Sequence, residues 1–308
     1  MKRIVLIVFL CEAASALFAQ QDPQFSHYMY NMVTVNPSMV GNRGVMNMSL
    51  LHRSQWIGLE GAPESQSFSF GAPLKNNKMG LGVSIINDRI GPINQTFLYV
   101  DYSYSVRLTS SVKLSFGIKA GASWLQQRLA TVNTIQSGDP SFVNSVNDNV
   151  IEPNLGSGLS IHSSAWYLGI SSPRLIETDF RLSAANNDTA SIKGLRHYFL
   201  VAGYVFKINP LLKIKPALQL KMTANAPFSG DFTTEVIYTD KVSFGAGYRV
   251  NDSFYGLVSY RFNSQLMAGL AYDYTTSKIR KVNDGTVEVI LSYDFGSSSN
   301  KVRSPRYF

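Results

Sequence analysis

Cysteine is nearly absent from this 308-residue chain: Cys11 is the one example. Charge is scarce as well. Asp, Glu, Lys and Arg together make up 16% of the residues, against the usual quarter, and Ser, Asn, Thr, Gln and Gly fill the gap. Long hydrophobic runs are missing. The longest, Ile4–Cys11 and Phe199–Phe206 (counting Gly203), have eight residues each, whereas a helix needs roughly 20 to cross a bilayer. That excludes a helical membrane protein. With 16 Tyr, 18 Phe and 3 Trp, intrinsic disorder is excluded too.

Residues 1–20 read as a secretory signal peptide. Lys2 and Arg3 form the charged start, Ile4–Leu10 the apolar stretch, and Ala13, Ala14, Ser15, Ala16 and Ala19 supply the small residues of a cleavage site after Ala16 or Ala19. Leu10 stands where a lipoprotein would carry a small residue before its lipidated cysteine, so Cys11 reads as one more apolar residue of the leader. Cleavage leaves no cysteine for a disulfide or a thiolate metal site. It removes Lys2, Arg3 and Glu12, taking the net charge from +8 to +7.

What remains alternates. Val112, Leu114, Phe116, Ile118, Ala120, Ala122 and Trp124 are interleaved with Lys113, Ser115, Gly117, Lys119, Gly121 and Ser123. Leu212, Ile214, Pro216, Leu218, Leu220 and Met222 are interleaved with Lys213, Lys215, Ala217, Gln219, Lys221 and Thr223. Period-two alternation over eleven or more residues means a strand with one apolar and one polar face. Ordinary strands run about 5–6 residues, while tilted membrane-spanning strands need about 9–11. The pattern predicts strands near 44–53, 64–72, 79–87, 96–108, 112–124, 152–162, 165–171, 197–207, 212–223, 231–238, 242–250, 254–262, 266–274 and 286–295. Fourteen is an even number, as bacterial barrels require. Glycine pairs at 80/82, 156/158 and 245/247 each fall on one wall. Pro216 inside a strand predicts a bulge or the membrane boundary.

Turn residues join alternate strands: Asn76-Asn77, Thr109-Ser110, Ser163-Ser164, Asn209-Pro210, Thr239-Asp240 and Asn263-Ser264. The other connections read as long (53–63, 88–95, 125–151, 172–196, 224–230, 275–285), with Asn251-Asp252-Ser253 as the single tight exception. The fold class expected is therefore all-β: a transmembrane antiparallel β-barrel of about fourteen strands over residues 44–296. Short turns would face the periplasm and longer loops the exterior, with both termini periplasmic. A sheet crosses hydrocarbon only if closed, because each unpaired backbone group there costs several kcal/mol.

No chemistry stands out. His27, His52, His162 and His197 show no metal-ligand spacing, and there is no GxSxG elbow, P-loop or GxGxxG, so no enzyme, cofactor or metal is expected. Lys278-Ile279-Arg280-Lys281 lies in an expected outer loop, where anionic surface glycan is a nearer partner than nucleic acid; Lys301–Arg306 belongs to a basic tail, 297–308. Lys113, Lys119, Lys207, Lys213, Lys215 and Lys221 fall on interior faces. They would favour anions in an open lumen, or pair with acids such as Glu235, Asp273 and Glu288 in a plugged one. Segment 21–43, before the first strand, is aromatic and without period, and should either plug the lumen or dock a partner.

Gln21-Asp22-Pro23-Gln24-Phe25, Tyr28-Met29-Tyr30-Asn31, Val35-Asn36-Pro37 and Gly41 resemble the opening of the PorP/SprF family of the type IX secretion and gliding machinery. Leu51–Gly58 with Gly61-Ala62-Pro63, Gly80-Leu81-Gly82, Ile86-Asn87-Asp88, Ile90-Gly91-Pro92, Leu114–Gly121, Asp139-Pro140 and Pro153-Asn154 continue the resemblance in order over most of 21–175. Ser38, followed by Met39, departs from the Ala that usually follows Asn-Pro in the family. The resemblance implies a non-enzymatic outer-membrane protein of Bacteroidota. Its implied partners are type IX components, outer-membrane lipid and adhesin-like cargo with C-terminal sorting domains. Expected docking residues are Pro23, Gln24, Phe25, Tyr28, Met29, Tyr30 and Trp56. The rival classes are a porin or small-solute transporter, marked by solute flux, and a hydrolase, marked by phospholipid turnover.

Overall fold

The computed structural model describes residues 23–74, 77–128, 149–183, 189–223 and 228–296. The expected leader, the basic tail, Asp139-Pro140 with most of the 125–151 connection, and Asn76 lie outside the described residues.

Fourteen antiparallel strands close into a barrel. In chain order they are β1 (Met46–Ser54), β2 (Glu64–Pro73), β3 (Met79–Ile90), β4 (Ile93–Arg107), β5 (Lys113–Gln127), β6 (Asn149–His162) and β7 (Trp166–Ser172). The second half holds β8 (His197–Tyr204, resuming at Phe206–Lys207), β9 (Leu212–Thr223), β10 (Ser229–Tyr238), β11 (Val242–Arg249), β12 (Ser253–Arg261), β13 (Leu266–Thr275) and β14 (Thr286–Phe295). Each pairs with its neighbours, and β1 closes on β14 from Met46↔Phe295 to Ser54↔Val287. A separate hairpin, Thr178–Ser183 with Thr189–Gly194, stands between β7 and β8 outside the barrel sheet.

The alternation has the sign of a membrane wall. Outward-facing Ile118 and Phe244 are 61% and 60% exposed, whereas inward Lys119 and Lys215 are 1% and 0% exposed. A water-soluble protein puts its lysines outside and its isoleucines inside. Here the apolar surface needs a lipid solvent. Aromatic pairs flank it. Tyr204–Phe206, Tyr260–Phe262 and Tyr293–Phe295 sit at the turn end with ring centroids 4.3–5.0 Å apart, and Tyr248–Phe254 lies at the loop end at 4.7 Å. Such rings suit the boundary between hydrocarbon and water.

Local chemistry makes the turns. Asn209 and Asn263 each accept two backbone N–H bonds, from two and three residues on, with their side-chain oxygens at 2.8–2.9 Å. Thr109 and Ser163 do the same with hydroxyls. Thr239 and Asp240 both take positive φ (53° and 57°), as a two-residue hairpin turn requires.

Three expectations change. Segment 88–95 is no long connection: β3 and β4 run on to Ile90 and Ile93 and meet in a Gly91-Pro92 turn. Their ends carry Asn87, Asp88, Arg89, Asn94 and Gln95 because they project past the apolar band, so alternation fades where the strand continues. Pro216 marks no bulge. It pairs with Thr234 on one side, and the β8–β9 register is the same before and after it, Gly203↔Ala217 and Phe206↔Ile214. The ladder merely lapses where the missing N–H faces β8. Lys207 is exposed rather than interior, because it lies at the strand's outermost end.

Candidate functional site: a lumen filled from rim to rim

Near the loop end, five charged side chains on the inner wall converge: Arg53 (β1), Asp231 (β10), Arg249 (β11), Asp273 (β13) and Glu288 (β14). All are 2% exposed or less. Arg53 reaches Asp273 at 2.8 Å and Glu288 at 3.1 Å, and Arg249 reaches Asp231 at 2.8 Å and Asp273 at 3.0 Å. Removing ions from water costs several kcal/mol each, so charges persist here only when paired and hydrogen-bonded.

The bonds left over hold the N-terminal segment. Ser26 and His27 donate their backbone N–H groups to the two Glu288 oxygens at 2.8 and 2.7 Å, and His27 Nδ1 lies 2.7 Å from Glu288 Oε1. The Ser26 hydroxyl donates to Asp273 at 2.8 Å and accepts from Arg53 at 3.0 Å.

From there the segment descends through the barrel. The Tyr30 hydroxyl donates to Glu235 at 3.0 Å. Lys215 neutralises Glu235 at 2.8 Å and lies 4.2 Å over the Tyr30 ring. Across the lumen, Lys119 pairs with Asp101 at 3.2 Å and donates to the Val33 and Thr34 carbonyls. The Asn36 side chain accepts from Ser38 N–H, opening the short turn Pro37–Met39, and the Ser38 hydroxyl bonds Ser160. Ser103 donates to the Val40 carbonyl. At the turn end, Arg43 approaches Asp294 at 3.5 Å.

Sequence composition explains how so much chain fits. Inward positions beside the segment are small and polar: Ser67, Ser69, Ser84, Ser103, Ser105, Ser115 and Ser160 are all buried. Glycine is used where the backbone comes closest. A Cβ on Gly117 would lie 2.1 Å from Ser38 N, and one on Gly158 would lie 2.1 Å from Asn36 Oδ1.

Among the described residues, one cavity of about 50 Å³ lies toward each end of the lumen. The loop-end cavity is lined by Pro23, Phe25, Phe97, Tyr99 and Phe199, and the turn-end cavity by Met32, Met39, Arg43, His162 and Tyr167. Each has room for a few waters. Among the described residues no group of three or more His, Asp or Glu could hold a metal.

The expected docking residues divide. Phe25, Tyr28, Met29 and Tyr30 are buried in one cluster with Leu51, Tyr255, Leu257 and Ile290. Pro23 and Gln24 are half-buried at the loop end, where Gln24 bonds Ser229. Trp56, with φ of 52°, is half-buried in the β1–β2 loop at the same end. The described chain thus starts at the loop rim and ends at the turn rim, whereas the strand count alone put both ends on one side. Sequence reading missed Ser26, His27, Asn36, Arg53, Asp101, Asp231 and Arg249 as site residues. The available signal was that Arg53, Asp101, Asp231 and Arg249 share the inward parity of the serines.

The family description "Type IX secretion system membrane protein PorP/SprF" matches residues 17–293. No curated protein matches the sequence. Among solved structures, the CymD monoaromatic hydrocarbon channel is similar at a TM-score of 0.50 and 11% identity, over 91% of this chain and 95% of that one. A Pseudomonas aeruginosa FadL homologue follows at 0.46 and 12%, over 89% and 95%, and the KdgM porin at 0.41 and 10%, over 81% and 99%. At these identities the likeness concerns the fold alone, and only that to CymD is close enough to bear on it.

Proposed function

We propose that this chain, which belongs to the PorP/SprF family of type IX secretion system membrane proteins, is a closed outer-membrane barrel that supports secretion or cell-surface attachment of partner proteins such as adhesins, without conducting solutes and without catalysis. One observation carries the reading: the lumen is occupied from rim to rim by the chain's own residues 23–44, hydrogen-bonded and charge-paired to the wall. A pore needs an aqueous path, and a docking component does not.

In this reading the loop end faces outward, the described C-terminal end faces the periplasm, and partners are met at the loop rim around Pro23, Gln24 and Trp56. Phe25, Tyr28, Met29 and Tyr30 act from inside by holding the segment in place. Type IX components and cargo with C-terminal sorting domains are the partners that family membership favours.

The test has two parts. Wild-type protein in planar bilayers should show no steady conductance, and a variant lacking residues 23–40 should conduct if its barrel still folds. Pull-down of tagged wild-type protein from outer membranes should recover a secreted partner, and a loop-rim variant (Gln24→Ala with Trp56→Ala) should recover less. Open-channel conductance in the wild type would replace this reading with the porin.

A further inference from the structure

We infer that the β13–β14 loop is a binding site for a phosphate-bearing lipid headgroup. The loop runs from Thr276 to Gly285 and contains one short helical turn, Lys278–Val282. Within it Lys278, Arg280 and Lys281 are all exposed. Among the described residues none of the three has an acidic side chain within ion-pair distance. Asp284, the nearest acid in sequence, is directed elsewhere: its carboxylate is what a Cβ on Gly58 would meet, at 3.2 Å.

One of the three, Arg280, is anchored at the membrane boundary, and Lys278 and Lys281 share its short helical turn. The Arg280 guanidinium lies 4.3 Å over the ring of Tyr274, and Tyr274 is 42% exposed on the outer, lipid-facing side of β13. Tyr274 pairs across strands with Phe254, and Phe254 with Tyr248, so the guanidinium sits on a row of aromatic rings of the kind that marks the hydrocarbon–water boundary. Stacking on a ring face leaves the N–H edge of a guanidinium free to meet an anion.

The loop is also fixed in this pose. Asn283 donates to the Ile279 carbonyl at 2.6 Å, and its side-chain oxygen accepts from Thr275 and from the Gly285 N–H. The Tyr272 hydroxyl, also on the outer wall, donates to the Asp284 carbonyl at 2.7 Å. Three cations without an acidic partner among the described residues thus share one ordered loop, with Arg280 stacked on the lipid-facing wall. Phosphate matches them in charge, and a lipid is the phosphate carrier that lies at that depth. The inference needs only the membrane barrel and is independent of the secretion reading.

Native mass spectrometry of the full-length protein, titrated with lipid A, dephosphorylated lipid A and phosphatidylglycerol, tests it. Each basic side chain near a membrane surface is worth about fivefold in binding an anionic lipid, so the three together predict a preference on the order of 100-fold for phosphorylated over dephosphorylated lipid A. The K278Q/R280Q/K281Q variant should lose that preference, Y274L should lose part of it, and K207Q/K241Q, which removes two exposed charges at the opposite end, should keep it. If phosphatidylglycerol matches lipid A and the triple variant abolishes both, the phosphate site stands without selecting a leaflet. Equal binding of the dephosphorylated lipid by the wild type, or an unchanged preference in a triple variant with intact β-sheet signal, overturns it.

Discussion

Replacing Glu288 with Ala should loosen the N-terminal segment while leaving the barrel wall intact. Glu288 is 0% exposed and accepts from Ser26 N–H, His27 N–H and Arg53, with the His27 ring at 2.7 Å. Breaking a buried ion pair from one side costs about 3–5 kcal/mol. Arg53 keeps Asp273 at 2.8 Å, so the lower end applies, and about 3 kcal/mol raises the released population roughly a hundredfold. Cys11 is the chain's one cysteine, so Met29→Cys in a Cys11→Ala background gives a single probe at a fully buried position. In detergent-solubilised barrel its reaction with a maleimide should be about a hundredfold faster in the E288A background than in the wild type. E288Q should fall between, since it retains an acceptor oxygen without the charge. Equal labelling rates, measured on protein that keeps its β-sheet circular dichroism, would refute the claim that this carboxylate holds the segment.

The direction of the segment gives a second prediction. Single cysteines at Pro23 and at Gln265, in the β12–β13 turn, should label with a membrane-impermeant maleimide from opposite faces of the membrane, and labelling from one face contradicts rim-to-rim threading. If they label from opposite faces but Gln265→Cys reacts on intact cells, threading stands and the proposed orientation fails. Gly117→Val and Gly158→Val should each displace the segment, seen as fast labelling of Met29→Cys. Gly256→Val, where nothing lies within 4 Å of the added Cβ, should not. Lys119→Ala strands buried Asp101 and removes the donor to Val33 and Thr34, and should lower stability by about 3–5 kcal/mol, read as a lower urea midpoint.

Much of the wall was legible in the sequence because strand parity is a local property. The alternation of Leu212 to Met222 with Lys213 to Lys221 places the lysines inside whichever strands lie alongside. The turn residues Asn209 and Asn263 act on backbone groups two and three positions away. Legibility failed where strands outran the membrane: around Gly91-Pro92 both faces meet water or the lumen's polar contents, and alternation carries no signal there. It failed again for the site. Ser26 and His27 have no pattern that points to Glu288, which lies 262 and 261 positions away.

The sequence by itself determined a membrane β-barrel of fourteen strands, because the sorting of side chains between lipid and lumen is written in every second residue. Only the tertiary structure decided that the lumen is filled, by what, and in which direction. Those outcomes depend on closure. Lys215 and Lys119 meet their acids on the adjacent strand, but Arg53 and Arg249 meet theirs across the sheet closure and around Ser26, and whether these side chains line a pore or grip a plug is settled only when the cylinder brings them around the same few residues.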